Sequence, residues 1–267
     1  MNLAKSEPAL RLDHLSIEFG GLKAVSDLNL VIEEGVIFGL IGPNGAGKTT
    51  IFNMITGVYH PTSGTIQAFS KHVARLKPYA ITRSGVARTF QNIRLFKDLT
   101  VLDNLKIAMD HNPVLAQPNF LSSIFQGKNF MKGERKKEKL CFDLLEIFNL
   151  SSRANEFARS LPYGDQRRLE IARAMATNAR LLLLDEPAAG LNMQESRDLM
   201  TTIRMIRERF HMTILLIEHD MKVVMGICDR IAVVEYGIKI AEGNSTEIQS
   251  HPKVIEAYLG RRATQHG

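Results

Sequence analysis

The chain has 267 residues, 45% of them hydrophobic and 23% charged, which is typical of a soluble globular protein with one large domain or two modest ones. No run reaches the length of about 18 apolar residues that spans a bilayer, and the opening stretch MNLAKSEPALRLD lacks the apolar core of a signal peptide, so we expect a cytosolic chain. The net charge of +6 permits nucleic acid, anionic lipid or phosphate ligands as partners, and the isolated cysteines Cys141 and Cys228 indicate buried thiols rather than a disulfide framework or a zinc site.

The first part of the sequence predicts strands, then a strand, loop and helix. Apolar and polar residues alternate over 10–19 and 28–33 on either side of a glycine pair, which predicts two half-buried strands. A continuous apolar run at 36–42 ends in glycine and is followed by a glycine-rich turn and a helix to about Thr56. Further short strands are predicted at 65–69 and 86–90.

The middle of the sequence predicts a mostly helical subdomain, residues 92–163, inserted into an α/β core. Thr100 and Asp103 form a capping pair for a helix that continues to about Met109. Residues 110–133 break the helical pattern with prolines and glycines, and we interpret them as a variable insertion. A second helix follows over 133–150, with a basic run that we interpret as a solvated face. Its predicted apolar side comprises Leu140, Leu144, Leu145 and Phe148.

The stretch SLPYGDQRRLEIARAM, residues 160–175, predicts an amphipathic surface helix with an unusual start. Gly164 removes a side chain from the first turn, where unpaired N–H groups carry partial positive charge, so an anion could bind there. Alternatively, Pro162 and Gly164 only shape a turn, and Asp165 supplies a carboxylate near the helix start. The predicted apolar face comprises Leu169, Ala172, Met175 and Ala176, and the predicted solvated residues are Arg167, Arg168, Glu170 and Arg173.

Three apolar strands alternate with helices after residue 181, which is the pattern of a parallel sheet covered on both faces. The strand LLLLDEP ends in two adjacent carboxylates, Asp185 and Glu186. In the stretch LLIEHDM, His219 comes just after an apolar strand. The third strand is RIAVVEYG.

Residues 42–49, GPNGAGKT, match the P-loop pattern and lie between a predicted strand and a predicted helix, as the motif requires. The backbone N–H groups of residues 45–49 can wrap a phosphate, and the helix that follows directs its positive end at it. Lys48 would reach the β- and γ-phosphates, and the Thr49 hydroxyl would bind Mg²⁺.

Polar residues at other strand ends complete the candidate site. Asp185 supplies the second carboxylate that a P-loop needs to hold magnesium, and Glu186 is the natural general base for a water attacking the γ-phosphate, unless the two are simply the polar start of a loop. His219 could touch a γ-phosphate, although a lone histidine is commonly a satisfied polar residue. Gln91, in TFQNIRLF, ends a strand before an exposed apolar cluster: Ile93, Leu95 and Phe96.

The order of these motifs resembles the ATP-binding-cassette family from about Leu10 to Gly260. The resemblance implies an α/β fold: a P-loop NTPase core of the ABC type with an N-terminal antiparallel β subdomain and an inserted α-helical subdomain. It implies that two chains sandwich two ATP molecules with Mg²⁺, each signature stretch, residues 161–165, capping the γ-phosphate on the partner's P-loop. The implied catalytic residues are Glu186, His219 and Gln91, and the implied metal ligands are Thr49, Gln91 and Asp185. The implied ATP-binding residues are Phe19, Gly42, Pro43, Asn44, Gly45, Ala46, Gly47, Lys48, Thr49, Thr50, Leu161, Pro162, Tyr163, Gly164 and Asp165.

Phe19 matches the aromatic residue that stacks on adenine in the family, although in isolation it would be interpreted as a core strand residue. Three positions depart from the family pattern. Pro162 replaces the signature serine, Tyr163 replaces the first signature glycine, and Asn192 replaces the aspartate usual after the catalytic glutamate. These departures imply either slower hydrolysis or a partner subunit that carries the stricter signature.

The stretches LPYGDQRRLEIARAM, DEPAAGLN, RTFQNIRLF and IQSHPKVIEAYLG resemble the ATP-binding subunits of bacterial branched-chain amino-acid importers. The resemblance implies a second cassette subunit, alike or different, transmembrane permease subunits, and indirectly a periplasmic solute-binding protein. It places the chain peripherally on the cytoplasmic face of the inner membrane, with no nucleic-acid partner. The implied segments are 1–91 and 164–243 for the nucleotide-binding core, 92–163 for the helical subdomain and 244–267 for a helical tail.

Alternative functions are a cassette for urea or amide import, one for lipopolysaccharide export, and a soluble cassette protein acting on nucleic acid. The basic residues near 128–139 are mixed with Glu134 and Glu138 rather than with aromatics, which counts against a nucleic-acid reader. A GTPase is a weaker alternative because the guanine motif Asn-Lys-x-Asp does not occur.

Overall fold

A computed structural model describes residues 7–110 and 128–264 of the chain. Its strands are β1 (Leu10–Phe19), β2 (Leu22–Ile32), β3 (Ile37–Ile41), β4 (Ser63–Ala68), β5 (Lys71–His72), β6 (Val86–Arg88), β7 (Leu181–Asp185), β8 (Thr213–Ile217), β9 (Arg230–Glu235) and β10 (Ile238–Gly243). Its α-helices are α1 (Lys48–Ile55), α2 (Pro78–Arg83), α3 (Val101–Asp110), α4 (Lys128–Ile147), α5 (Tyr163–Ala176), α6 (Met193–Phe210), α7 (Met221–Ile227), α8 (Ser245–Ser250) and α9 (Pro252–Thr264). Short 3₁₀ helices lie at Ser151–Arg153 and Ala158–Ser160.

The N-terminal strands form the predicted antiparallel sheet, and their order is β2-β1-β4-β5. Leu10 and Leu12 of β1 are buried and then, after a shift in the strand register, Leu15 and Ile17 are buried, so each part of the strand has the two-residue period of a strand with one covered face. Gly20 and Gly21 both have positive φ and turn the chain tightly from β1 into β2.

The central sheet has the order β10-β9-β3-β8-β7-β6, and its inner pairs are parallel. Strands β3, β7 and β8 are buried at every residue, which explains their continuous apolar sequences. Ile37 and Ile41 pack with residues of α3 to α6 on one face, whereas Phe38 and Leu40 pack with α1 and the antiparallel sheet on the other. The predicted α/β fold class is therefore confirmed, and the loops that follow the parallel strands gather at one edge of this sheet.

The helices between β6 and β7 largely follow the predicted pattern. The Asp103 N–H donates to Thr100 Oγ1 at 3.0 Å, so the predicted cap of α3 forms. Helix α4 begins at Lys128, five residues before the predicted end of the insertion at residue 133. Gly133 favours an end to the helix in the sequence pattern, but it lies inside α4, because a glycine within a helix costs only about 1 kcal/mol. Residues 111–127 of that insertion lie outside the described residues, and the segment boundaries at 91, 163 and 243 stay a prediction.

Helix α5 differs from its predicted amphipathic pattern on one side. Arg167 was expected to face solvent but is 0% exposed, and Glu170 is 2% exposed. The two side chains form an ion pair at 2.9 Å and bind backbone groups of residues 90–94. Helical periodicity could not indicate this, because the partners of both charges lie about 75 residues earlier in the chain.

Both cysteines are buried and free, as predicted, and burial raises the pKa of each thiol to about 12. Within 7–110 and 128–264, the His, Cys, Asp and Glu side chains form no group of three or more that could hold a metal ion. In that same part of the chain, none of the helices is both long enough and apolar enough to cross a bilayer.

Candidate functional site

The P-loop connects the end of β3 to the start of α1 and requires glycine at two positions. A Cβ atom on Gly42 would lie 2.0 Å from the carbonyl oxygen of Val234. A Cβ atom on Gly47, where φ is +98°, would lie 2.7 Å from the carbonyl oxygen of Ala24. Neighbouring strands therefore hold the loop closely against the sheet, and no larger residue fits at either position.

The positive groups of the P-loop converge on its own backbone. Lys48 is 9% exposed, and its Nζ donates to the carbonyl oxygens of Gly42 at 2.7 Å and Pro43 at 3.0 Å. Helix α1 has no side-chain cap hydrogen bond at its N-terminus. Asn44, Gly45 and Thr49 are exposed at the same end of the helix.

Asp185 ends β7 with only 4% of its surface exposed, and its Oδ2 accepts from the Arg88 guanidinium at 2.7 Å. The same guanidinium donates to Asn53 Oδ1, on α1, at 2.6 Å. This link between Asp185 and the P-loop helix was missed from the sequence. The only signal was a basic residue within the otherwise apolar strand β6.

Glu186 brings together the residues predicted to be catalytic. Gln91 Nε2 donates to Glu186 Oε2 at 3.0 Å, and His219 Nδ1 lies 3.7 Å from the same oxygen. Glu186 has φ of +48°, a conformation that costs a non-glycine residue about 1 kcal/mol or more. Three loops, which follow β6, β7 and β8, therefore meet at one carboxylate.

Glu218, the residue before His219, is a buried carboxyl that the sequence did not single out. It is 1% exposed, and its Oε1 accepts from the Ala188 N–H at 2.9 Å. Burial raises the pKa of Glu218, and this backbone hydrogen bond opposes the shift. Glu218 thus joins the end of β8 to the loop that follows Glu186.

Phe19 is 44% exposed, so the alternative that it is a core strand residue is wrong. Its ring makes an edge-to-face contact with Tyr59, with the centroids 5.2 Å apart. Tyr59 lies in the loop after α1 and was not predicted as part of the site. The two rings form a half-exposed aromatic platform.

The signature stretch, residues 161–165, forms the exposed start of α5. Leu161 and Gly164 are buried, whereas Pro162 and Tyr163 face solvent. A Cβ atom on Gly164 would lie 3.2 Å from a carboxylate oxygen of Glu195, so the stretch packs on the start of α6.

The loop before α6 ends at Asn192, one of the departures from the family pattern. Its Oδ1 accepts from the N–H groups of Gln194 and Glu195, both at 2.9 Å. Glu195 completes a capping box with the Asn192 N–H. Asn192 is therefore the N-cap residue of α6.

The family model described as ABC transporter matches residues 25–189 of the chain. The chain belongs to the ABC transporter family. A second model, described as branched-chain amino acid ATP-binding cassette transporter, matches residues 239–264, which include α8 and α9. The predicted family membership is confirmed.

Relatives match this ABC transporter chain over nearly its whole length. It is 47% identical to the high-affinity branched-chain amino acid transport ATP-binding protein BraF of Pseudomonas aeruginosa, over 96% of the chain and 99% of the relative. It is 46% identical to the corresponding protein LivG of Escherichia coli, with the same coverage. A crystal structure of an ATP-binding cassette of an ABC transporter, in its ADP conformation, has a TM-score of 0.80 and 32% identity, over 95% of this chain and 99% of that chain.

Proposed function

We propose that this chain is the ATP-hydrolysing subunit of a membrane transporter that imports branched-chain amino acids. The observation that carries the ATPase assignment is the convergence of Gln91 and His219 on Glu186, at the edge of the sheet where the P-loop also lies. Open parallel sheets bind ligands at this edge.

The P-loop binds the triphosphate in this proposal. Backbone N–H groups of residues 45–49 cradle the phosphates, and Lys48 exchanges its contacts with the loop carbonyls for contacts with the β- and γ-phosphates. Magnesium, when bound, would neutralise charge on the phosphate oxygens, and protein side chains hold it together with phosphate and water ligands. The Thr49 hydroxyl, the Asp185 carboxylate and the Gln91 side chain would hold it. These residues fit a magnesium ion, because Arg88 binds only the Oδ2 atom of Asp185 and the other carboxylate oxygen can bind the metal.

Glu186 is the general base, and it accepts the proton of the water that attacks the γ-phosphate. Gln91 and His219 orient its carboxylate, since both contact the same oxygen. His219 is 62% exposed at its side chain, so it can also reach a bound γ-phosphate. The aromatic platform formed by Phe19 and Tyr59 stacks on the adenine ring.

The signature stretch completes the site of a second cassette. Its first-turn N–H groups have no side-chain cap and lie at the exposed start of a helix of 14 residues, where an anion is favoured. Residues 161–165 pack on the start of α6, and we infer that they cap the γ-phosphate on the P-loop of the partner subunit. The partner is a second ABC cassette, alike or different.

Identity of 46–47% over nearly full length to branched-chain amino acid transport proteins supports the same solute class for this chain. The tail model over 239–264 supports the same group. The cassette then binds transmembrane permease subunits at the cytoplasmic face of the membrane, and these receive the solute from a periplasmic binding protein. Nucleic acid has no part in this function.

The test of this function is solute uptake by the purified complex. The full-length chain is isolated from detergent-solubilised membranes with the subunits that accompany it and is reconstituted into proteoliposomes. ATP-dependent accumulation of leucine, isoleucine and valine is expected, with urea and short amides as comparison solutes. Uptake of urea or amides alone, or isolation without any membrane protein, would contradict the proposal.

Phe96→Asp is expected to uncouple ATP hydrolysis from transport. Phe96 is 48% exposed, and Asn104 holds its backbone N–H and carbonyl, both at 3.0 Å, so the ring is presented on a fixed turn. We infer that the exposed ring contacts a transmembrane subunit. Losing an aromatic anchor at such an interface costs about 2 kcal/mol of binding free energy, so uptake should fall about tenfold or more. Nucleotide affinity of the isolated subunit should stay within about twofold, because the ring lies outside the P-loop.

Phe210→Asp is the matched control, because Phe210 is 41% exposed and packs with an arginine, Arg209, as Phe96 packs with Arg173, but lies at the end of α6. This variant is expected to transport normally. If Phe96→Asp transports as well as Phe210→Asp does, the contact with the membrane subunits lies elsewhere.

A further inference from the structure

One face of α5 holds the backbone on both sides of Gln91. Arg167 donates from Nη1 to the Phe90 carbonyl at 2.7 Å and from Nη2 to the Gln91 carbonyl at 2.8 Å. Glu170, one turn later, accepts from the N–H groups of Phe90 at 3.4 Å and Arg94 at 3.1 Å through Oε1. Two side chains thus bind four backbone groups of residues 90–94.

We call the Arg167 and Glu170 side chains the clamp, and both of their charges are almost fully removed from water. The Arg167–Glu170 pair is joined at 2.9 Å, and burial raises the pKa of Glu170. A buried ion pair rarely stabilises a fold more than well-packed apolar residues would, so stability alone does not account for the Arg167–Glu170 pair. Only the planar fork of arginine can bind two adjacent carbonyls and a carboxylate together, and lysine cannot replace it.

The same guanidinium also contacts the signature stretch. Arg167 Nη2 donates to the Tyr163 hydroxyl at 3.2 Å. The Tyr163 ring in turn packs on Gly190, where an added Cβ atom would lie 3.1 Å from the ring. Tyr163, Arg167 and Glu170 follow one another at helical spacing, so they share one face of α5.

These contacts connect the exposed start of α5 to the carboxylate at the centre of the candidate site. Tyr163 binds Arg167, Arg167 holds the backbone of Gln91, and the Gln91 side chain donates to Glu186. A displacement of the first turn of α5 therefore moves the guanidinium, and the Gln91 carbonyl moves with it. Packed side chains and rigid helices carry coupling between sites in this way.

We propose that Arg167 and Glu170 are positioning residues that couple the two nucleotide sites. When residues 161–165 dock on the partner's nucleotide, these two residues transmit the movement to Gln91, and Gln91 transmits it to Glu186 of this chain's own site. The two nucleotide sites then hydrolyse cooperatively. This inference rests on the proposed head-to-tail pair of cassettes.

Arg167→Lys keeps the charge but removes the fork, and Arg168→Lys is its matched control on the same helix. Arg168 pairs with Asp165 at 3.3 Å and is not part of the clamp. Hydrolysis is measured against ATP concentration for the full chain with its accompanying subunits. Arg167→Lys is expected to lower kcat about tenfold and the Hill coefficient towards one, with KM for ATP within about twofold, because the clamp positions Gln91 without touching nucleotide. Arg168→Lys is expected to keep the unmodified cooperativity.

Tyr163→Phe tests this connection separately from the stability of the fold, because it removes only the hydroxyl that accepts from Arg167 and leaves the Arg167–Glu170 ion pair intact. It should lower the Hill coefficient without changing the thermal midpoint. Amide hydrogen exchange gives a readout besides activity. In Arg167→Lys, the Phe90 and Arg94 amides should exchange faster than in Arg168→Lys.

A lower thermal midpoint of Arg167→Lys with unchanged cooperativity would show a structural role only and overturn the proposal. Normal cooperativity of Tyr163→Phe would also overturn it. The proposed ATPase function is tested separately by Glu186→Gln, which blocks hydrolysis whether or not the two sites communicate. Failure of the coupling proposal therefore leaves that test unaffected.

Discussion

Glu186→Gln should lower ATP turnover about 10²–10⁴-fold, the usual effect of removing a general base, while nucleotide binding is retained. In the unmodified chain, Gln91 Nε2 donates to Glu186 at 3.0 Å. Glutamine has nearly the same shape as glutamate, and its amide oxygen can accept the same hydrogen bond. The variant therefore removes the proton acceptor and leaves the loops after β6 and β7 in place. Single-turnover hydrolysis and equilibrium binding of ATP measure the two effects separately.

Glu34→Gln is the control for this experiment. Glu34 is a surface glutamate that pairs with Arg180 at 2.8 Å, with 41% of its side chain exposed. Exposed ion pairs contribute about 0–1 kcal/mol, so neither turnover nor binding should change. Equal turnover of the Glu186 and Glu34 variants would remove Glu186 from the role of base.

Gly42→Ala should abolish most nucleotide binding. The added Cβ atom would lie 2.0 Å from the Val234 carbonyl oxygen, so the first residue of the P-loop must move by an ångström or more. A shift of this size breaks hydrogen bonds from the loop amides to phosphate, each worth about 1.5–3 kcal/mol, so we expect ATP affinity to fall about 10²-fold or more. Calorimetric titration with a nonhydrolysable ATP analogue measures it.

Gly35→Ala separates this collision from the general cost of alanine at positive φ. Gly35 has φ of +74°, and a Cβ atom there would meet no neighbour within 4 Å. Alanine should cost about 1 kcal/mol of stability there without changing ATP affinity. Full affinity of Gly42→Ala would show that the loop can shift away from β9 and still bind phosphate.

Features encoded by short stretches of sequence were predictable. The P-loop, the buried strand that ends at Asp185 and the cap at Thr100 each depend on residues within one strand, turn or helix start, where spacing determines geometry. Gln91, Glu186 and His219 could be expected to meet, because each follows a strand of the parallel sheet and such strand ends share one edge.

Contacts between distant segments could not be predicted. Arg88 and Asp185 are 97 positions apart, and Arg167 lies 77 positions after Phe90. A charge on a helix is usually solvated, so periodicity assigned Arg167 to the wrong face. Only the packing of α5 against residues 90–94 shows that its charge is internal.

The ion pair between Arg88 and Asp185 has an electrostatic consequence for ligand entry. A lone carboxylate in so dry a position would repel an approaching polyanion, because low-dielectric surroundings screen charge poorly. Arg88 acts as an internal counter-charge, and its guanidinium, also bonded to Asn53, keeps this corner near neutrality before any ligand arrives. A triphosphate can then enter the site against little electrostatic repulsion. A metal cation gains little binding free energy at Asp185 before the triphosphate is bound.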